Sequence, residues 1–155
     1  MKQIRQASTE DLVRIAEIEV FNYRLNFYPI FRSDWFYFQE LQVPQVARKY
    51  ANALDSLWVY DDGVVKGFVQ TENGEVRKIF VEPVLQGESI GAKLLEFAVA
   101  QRGARFLWAL EKNVKAIAFY RRHGFRVTAE RKPEEGTGEY LVLMRRGVSD
   151  SAQNC

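Results

Sequence analysis

The segment between residues 75 and 125 holds the residues whose types and spacing are best suited to chemistry. A predicted strand ends at Val81-Glu82-Pro83, and Gln86-Gly87-Glu88-Ser89-Ile90-Gly91-Ala92 leads into a predicted helix. The first N–H groups of a helix have no acceptor within it, and the helix dipole is positive at that end, so such a terminus can bind phosphate or pyrophosphate. Gly87 and Gly91 would let a ligand approach the backbone closely. Plain packing of a helix start against a strand produces a similar pattern.

Several other kinds of site are disfavoured by the sequence. GxxxxGK[ST] and GxGxxG are both absent, which argues against a P-loop ATPase and a dinucleotide-dependent dehydrogenase. His123 is the only histidine and has no Ser or Cys beside it, so a nucleophilic triad cannot be argued. The only cysteine, Cys155, allows neither a disulfide within the chain nor a cysteine-rich metal site, and we expect no metal.

The composition indicates a globular protein with little charge bias. The 155 residues favour one domain, residues 1–147, followed by a flexible tail at 148–155. The net charge of +2 is too small to favour nucleic acid as the main partner. Because no apolar leader and no long apolar run occur, we expect a cytoplasmic protein without a membrane partner. The oligomeric state stays open, with a homodimer as one alternative.

The elements that precede the chemical segment are predicted from periodicity and turn residues. Residues 2–6 can form a strand, and Ser8 with Asp11 forms a capping box for a helix over about residues 9–22. Aromatic residues are concentrated at 21–38, where Pro29 should interrupt any helix, and Pro44 could open a second helix. Strands at 56–60, 64–70 and 75–81 should form an antiparallel meander, because Asp62-Gly63 and Asn73-Gly74 favour tight turns.

Within and after the chemical segment, strands and helices alternate. A helix should begin near Gly87 or Glu88 and end at Gly103, and the apolar run 105–110 should be a buried strand. A strand, helix and strand in this order predict a parallel crossover. Asn113 should cap a short helix that ends at Gly124, and strands at 125–131 and 139–145 should form a final hairpin.

Two of these runs resemble the GNAT superfamily of N-acetyltransferases. Residues 86–92 are similar to its [Q/R]-x-x-G-x-[G/A] motif, although Ser89 stands where the family usually has glycine. The second signature, N-x-x-A-x-x-[FL]-Y-x-x-x-G-F, is matched by Asn113, Ala116, Phe119, Tyr120, Gly124 and Phe125. The resemblance implies an α+β fold of the GNAT type, in which a mixed, mostly antiparallel sheet of six to seven strands is flanked by about four helices.

The resemblance also implies acetyl-CoA as cosubstrate and direct attack of an amine on the acetyl thioester. Backbone groups near Phe80 and Val81 would then hold the pantetheine arm and the acetyl oxygen. The cofactor-binding residues that it implies are Phe80, Val81, Gln86, Gly87, Glu88, Ser89, Ile90, Gly91, Ala92, Asn113, Ala116 and Tyr120. The basic residues Arg121, Arg122 and Arg126 could meet the 3′-phosphate of coenzyme A, or could form only a solvated helix end.

Two residues are predicted to be catalytic. By resemblance Tyr120 is the acid, since a phenol with a pKa near 10 can protonate a departing thiolate, although a packed aromatic is the alternative. Glu75, at the start of its strand, is the first choice for the base, and Glu111 is the second. Either carboxylate could instead be a solvated surface group.

The acceptor amine cannot be read from the sequence. In the GNAT family the first helices cover the acceptor site, so the aromatic segment 21–38 would lie there. Its rings could be core or could line an apolar pocket, and Arg24 and Arg32 could bind an acidic group. A small-molecule amine, an amino-acid derivative, a protein N-terminus and a lysine all remain open. A non-catalytic acyl-CoA-binding or protein-interaction module of the same fold is the alternative to an enzyme.

Overall fold

A computed structural model describes residues 3–147 and shows one central sheet of seven strands. The strands are β1 (Ile4–Gln6), β2 (Leu57–Asp61), β3 (Val65–Glu72), β4 (Glu75–Val81), β5 (Phe106–Leu110), β6 (Phe125–Pro133) and β7 (Tyr140–Arg146). Their order in the sheet is β1-β2-β3-β4-β5-β7-β6, and only the neighbours β4 and β5 are parallel. The predicted mixed, mostly antiparallel sheet is therefore confirmed. The predicted tail at 148–155 lies outside the described residues.

Helices cover both faces of the sheet. In residues 3–147 they are α1 (Leu12–Asn22), α2 (Tyr28–Phe31), α3 (Val43–Tyr50), α4 (Ile90–Arg102) and α5 (Val114–Arg122). Shorter turns are 3₁₀-helical at Thr9–Asp11, Leu54–Ser56 and Pro83–Leu85, and π-helical at Tyr23–Phe27 and Phe36–Glu40. As predicted, β4, α4 and β5 form a parallel crossover, and Gly103 ends α4 in a left-handed conformation with φ 68°. The helix α4 begins at Ile90, slightly later than predicted.

The aromatic segment is more helical than predicted. The chain runs without a break from α1 through the π-helical turn Tyr23–Phe27 into α2, so the prediction that Pro29 interrupts a helix is wrong. Pro29 lies in the first turn of α2, where the missing N–H is tolerated and the fixed φ suits a helix. The helix ends instead at Arg32, whose φ of 53° is left-handed.

Two hydrophobic cores form, one on each side of the sheet. On one side α4 packs against the sheet through Leu94, Leu95 and Ala98, each 0% exposed. On the other side α1 and α3 cover Phe68 of β3. Gly67 allows α4 to lie this close, because a Cβ there would meet the Phe80 carbonyl oxygen at 2.9 Å and Leu94 Cδ1 at 3.0 Å.

The parallel strands β4 and β5 separate soon after they meet. Their ladder has one residue pair, Glu75 with Phe106, and the Gly74 carbonyl oxygen accepts from the Arg105 and Phe106 N–H groups at 2.8 and 3.3 Å. On the other side of β4, the register with β3 shifts between Gln70 and Thr71. A bulge of this kind bends a strand and increases its twist. Beyond this first residue pair β4 therefore splays away from β5.

Candidate active site

A groove of about 1670 Å³ passes through the gap between β4 and β5. At one end, which we call the loop end, it is lined by residues of the 85–92 segment and by α5. At the other end, which we call the aromatic end, it is lined by residues between 22 and 37 and by the turn between β6 and β7. The same groove is therefore lined by the chemical segment, residues 75–125, and by the aromatic segment, residues 21–38.

Most of the predicted site residues lie along this groove. Its lining includes Glu75, Phe80, Val81, Gln86, Gly87, Ser89, Ile90, Gly91, Ala92, Asn113, Ala116 and Tyr120. Glu88 is exposed and is not part of the lining. Glu111, the second choice for a base, also lies outside the lining, and its two carboxylate oxygens accept from Arg131 at 2.8 and 3.0 Å.

The hydrogen-bond pattern of β4 identifies the backbone groups that face the gap. The Glu82 N–H donates to the Lys66 carbonyl oxygen at 2.8 Å, so the paired residues Phe80 and Phe68 exchange backbone bonds as well. Backbone groups alternate in direction along a strand, so those of Ile79 and Val81 point toward β5. Of the two residues predicted to present backbone groups, Phe80 bonds to β3, whereas Val81, like Ile79, faces the gap. Phe80 instead contributes its ring, 5.6 Å from that of Tyr23 between centroids.

The loop between β4 and α4 contains a strained serine. Ser89 is the N-cap of α4 but has φ 67° and ψ 12°, a left-handed conformation, and its side chain makes no capping hydrogen bond. A residue with a Cβ pays about 1–2 kcal/mol for this conformation, whereas glycine adopts it freely. This left-handed conformation explains why the family motif usually has glycine at the position of Ser89. Gly87 is also left-handed, with φ 95° and no heavy atom within 4 Å of its hypothetical Cβ.

A buried amide, Asn22, connects the two ends of the groove. Its Nδ2 donates to the carbonyl oxygens of Ile18 at 2.8 Å and of Val81 at 2.9 Å, and its Oδ1 accepts from Gln86 Nε2 at 3.1 Å. Asn22 is 2% exposed and ends α1, so it fixes the end of β4 and the loop relative to that helix. The sequence reasoning missed it, because nothing local distinguishes an asparagine at a helix end that bonds a residue 64 positions away.

The helix α5 presents Tyr120 to the groove. Asn113 Oδ1 accepts from the Ala116 N–H at 3.2 Å, which confirms the predicted helix cap. The Tyr120 ring packs between Phe119 and Phe125, with centroid distances of 5.4 and 6.3 Å. Burial raises the pKa of the Tyr120 phenol above its usual value of 10. Among residues 3–147 no group hydrogen-bonds to its hydroxyl.

A buried ion pair on β4 and α1 was also missed. Lys78 Nζ donates to Glu19 Oε1 at 3.0 Å, and the Tyr50 hydroxyl donates to the same oxygen. Glu19 is only 2% exposed, and Lys78 Nζ lies 5.2 Å from the Tyr50 ring centroid and 5.8 Å from that of Tyr23. Burial lowers the pKa of Lys78 below 10.5, and the charge of Glu19 opposes this shift. Glu19 lies within an apolar helical run, where sequence alone does not show its partner.

The rings of the aromatic segment have divided roles. Five of them line the groove, namely Tyr23, Phe27, Phe31, Phe36 and Tyr37. Tyr37 is also core at 4% exposed, whereas Trp35 is 63% exposed and lies outside the lining. The acid-binding role suggested for Arg24 is not supported, because its guanidinium donates to the carbonyl oxygens of Tyr37 and Leu41 at 3.1 and 3.2 Å. Arg32 does not line the groove either.

The turn between β6 and β7 places Glu134 at the aromatic end. Glu134 is half-buried and lines the groove beside the tyrosines of the aromatic segment. Burial and then the charge of Glu134 raise the pKa of Tyr37 to about 12. Burial, followed by the charges of Glu19 and Glu134, also raises the pKa of Tyr23.

Two kinds of feature are absent from residues 3–147. No helix among them is both long enough and apolar enough to cross a membrane. No group of three or more His, Cys, Asp or Glu side chains within the same range is arranged to hold a metal ion.

Comparison with known proteins agrees with this architecture. Residues 53–127 match the family model of the acetyltransferase (GNAT) domain. A relative from Salmonella typhimurium, peptidyl-lysine N-acetyltransferase YjaB, is 28% identical over 89 residues, which are 56% of this chain and 61% of the relative. The chain thus spans less than two thirds of that relative's length. An uncharacterized N-acetyltransferase of Archaeoglobus fulgidus is 28% identical over 152 residues, covering 86% of this chain and 96% of the relative.

A solved structure shares the fold over almost its entire length. The crystal structure of PaiA N-acetyltransferase from Thermoplasma acidophilum in complex with coenzyme A superposes with a TM-score of 0.63. It is 21% identical and covers 94% of this chain and 99% of its own. The family match over residues 53–127, the two relatives and the shared fold all support membership of the GNAT superfamily of acetyltransferases.

Proposed function

We propose that the protein transfers the acetyl group of acetyl-CoA to a primary amine. The observation that carries the proposal is the groove between β4 and β5. It is lined by the loop that precedes α4, by the backbone of Ile79 and Val81, which faces the gap, and by Tyr120. In this reaction the amine nitrogen bonds to the acetyl carbon and the carbon–sulfur bond breaks. A proton leaves the nitrogen, and the thiolate gains one.

The cofactor is proposed to bind at the loop end. The N–H groups at the start of α4 and of the preceding loop, from Gly87 to Ala92, would receive the pyrophosphate. The pantetheine arm would then lie in the gap, parallel to β4, and contact the backbone of Ile79 and Val81. Arg122 lines the same end and is available to the 3′-phosphate. The complex of PaiA with coenzyme A supports this arrangement by analogy of fold.

The backbone N–H groups that face the gap would polarise the acetyl carbonyl. The carbonyl oxygen of Val81 is occupied by Asn22, and this bond fixes the end of β4. A donor aimed at a developing oxyanion typically stabilises the transition state by about 3 kcal/mol. Tyr120 would protonate the leaving thiolate, and its raised pKa keeps the phenol protonated at neutral pH.

Glu75 is proposed as the base that accepts the amine proton, directly or through water. It is half-buried and lines the groove where β4 and β5 close together. Glu75→Gln should lower turnover at neutral pH and change the pH–rate profile. A profile identical to that of the wild-type protein would exclude Glu75 as the base.

The relatives bear on the acceptor only by name. YjaB of Salmonella is called a peptidyl-lysine N-acetyltransferase, so a lysine side chain is one acceptor to test. The decisive measurement is release of free thiol from acetyl-CoA across a panel of amines that includes lysine peptides. Turnover with any amine supports the enzyme. Thermal stabilisation by acetyl-CoA without turnover on any amine would favour a non-catalytic acyl-CoA-binding module.

A further inference from the structure

The buried amide of Asn22 contacts two elements that would hold different parts of the cofactor. Asn22 is the last residue of α1 and is 2% exposed. Its Nδ2 donates to the Val81 carbonyl oxygen at 2.9 Å, and its Oδ1 accepts from Gln86 Nε2 at 3.1 Å. Two further bonds join it to the Ile18 carbonyl oxygen at 2.8 Å and to Asn26 Nδ2 at 3.3 Å. The amide therefore makes all four hydrogen bonds that an asparagine side chain can form.

The bond to Val81 replaces a strand partner that is missing at the end of β4. Within residues 3–147, the one residue pair between β4 and β5 is Glu75 with Phe106, at the opposite end of β4. On the other side of β4 the ladder with β3 continues as far as Val81, which pairs with Gly67. Asn22 gives the Val81 carbonyl oxygen the hydrogen bond that a neighbouring strand would otherwise supply. The end of β4 is thereby held in place although β5 has diverged from it.

The bond to Gln86 closes the loop that leads from β4 to α4. Between Val81 and Gln86 the chain makes the 3₁₀-helical turn Pro83–Leu85. The left-handed residues Gly87 and Ser89 follow directly, in the part of the loop proposed to bind the pyrophosphate. Gln86 Nε2 therefore ties the start of this part to α1, and through Asn22 to the end of β4.

The helix that carries Asn22 is a rigid support. Ile18, one turn before Asn22, is 0% exposed in the core between α1 and the sheet. Earlier in the same helix, Arg14 pairs with Glu82 at 3.0 Å and donates to the Val65 carbonyl oxygen at 2.7 Å. The helix thus holds the loop at two places, and it cannot shift without disturbing the core.

We propose that Asn22 is a positioning residue, which sets the separation between the backbone at Val81 and the phosphate-binding part of the loop after Gln86. This inference rests on the proposed function, because it gives Asn22 a role in holding the same cosubstrate. The pantetheine arm has a fixed number of bonds between the thioester and the pyrophosphate. Both ends of acetyl-CoA bind well at once only where the two backbone sites are already at the matching separation.

The first test measures the binding of coenzyme A by calorimetric titration. Gln86→Met removes the bond between loop and amide and should raise the Kd about 10-fold. Asn22→Leu keeps a branched side chain of similar shape but removes all four bonds, and it should raise the Kd about 10- to 100-fold. The double variant should bind within about 3-fold of Asn22→Leu, because the bond between the two side chains is already lost there.

Asp11→Ala is the matched control for a general loss of stability. Asp11 precedes the first residue of the same helix, is 6% exposed and accepts from Arg5 and from the Ser8 N–H, each at 2.8 Å. It lies outside the lining of the groove. This variant should unfold more easily than the wild type, while its Kd for coenzyme A should change less than about 2-fold.

The second test shortens the acetyl donor. S-acetylpantetheine carries the thioester but has no pyrophosphate, so it cannot use the loop. With the most active amine of the panel, Gln86→Met should lower kcat/KM for acetyl-CoA about 10-fold and that for S-acetylpantetheine less than about 2-fold. Asn22→Leu should lower kcat with both donors, because it also releases the Val81 carbonyl oxygen.

The outcomes separate this inference from the proposed function. An unchanged Kd in Asn22→Leu, Kd changes that multiply in the double variant, or equal losses of Gln86→Met on the two donors would overturn the inference. If the variants weaken coenzyme A binding as expected but no amine is acetylated, the proposed function fails and the role of Asn22 stands. If wild type and Asn22→Leu acetylate an amine with equal kinetic constants, the proposed function stands and this role is wrong. If the wild type does not bind coenzyme A, both are wrong.

Discussion

The two ends of the groove are built in different ways. The loop end consists mainly of backbone from a contiguous stretch, residues 79–92, whose conformation depends on a strand end, positive φ angles and a helix start. The aromatic end consists of side chains from α1, the aromatic segment, β4 and the last hairpin. Its contacts span long separations, such as the 59 positions between Glu19 and Lys78. A backbone site leaves a local motif in the sequence, whereas a pocket of distant side chains does not.

Tyr120→Phe tests the proposed acid, which α5 presents to the groove, and should have the largest effect. We expect kcat to fall by about 100- to 1000-fold with little change in the KM for acetyl-CoA, since only the proton donor is lost. Because the pKa of Tyr120 is raised above 10, wild-type turnover should show no alkaline loss from this group below about pH 10. Thiol release measured from pH 6 to 10 checks both statements. Equal kcat values in the variant and the wild type would mean that the thiolate leaves unassisted.

Glu19→Gln tests how much the ion pair of Glu19 with Lys78, beside the aromatic end, contributes to the stability of the protein. The variant keeps an acceptor for Tyr50 but leaves the buried charge of Lys78 uncompensated, so the free energy of unfolding should fall by about 3 kcal/mol. Adding Lys78→Met should recover most of this loss. Urea unfolding of the two single variants and the double variant gives the coupling. Losses that simply add in the double variant would show that the pair is not coupled.

Ser89→Gly tests the loop end and should have the smallest effect. Removing the Cβ relieves the left-handed strain, offset in part by the greater entropy of glycine when unfolded, so the protein should gain up to about 1 kcal/mol. The control is Ser33→Gly, at an exposed position with negative φ, which should give no gain. Thermal unfolding measures both variants. A destabilised Ser89→Gly would show that the serine side chain contributes to the loop.

The comparison of the two ends also explains which expectations succeeded. The crossover β4-α4-β5, the Asn113 cap and the turn at Asn73-Gly74, with φ values of 52° and 84°, follow from local rules and are confirmed. The fold as a whole was predicted because two local motifs in the right order identify the superfamily. The predicted roles of site residues stay predictions.

The structure departs from the sequence-based expectations at several positions. Pro29 was expected to end a helix, but a preceding π-helical turn places it in a new first turn. Glu111 and Arg24 seemed available for chemistry, yet Arg131 and two backbone carbonyls engage them. The alternation of β4 shifts the expected backbone contact from Phe80 to its neighbours, because the direction of backbone groups depends on the register with β3. The partners of Arg24 and Glu111 lie 13 to 20 positions away in sequence.

The buried amide of Asn22 has a consequence for the order of events during turnover. It bonds the end of β4 and Gln86 of the loop, and it belongs to the helix that continues into the aromatic segment. A ligand that shifts this amide at one end changes the free energy of binding at the other, and the change is the same in both directions. If the proposed acetyl transfer takes place in this groove, we expect the release of coenzyme A and of the acetylated product to be energetically linked through the hydrogen bonds of Asn22.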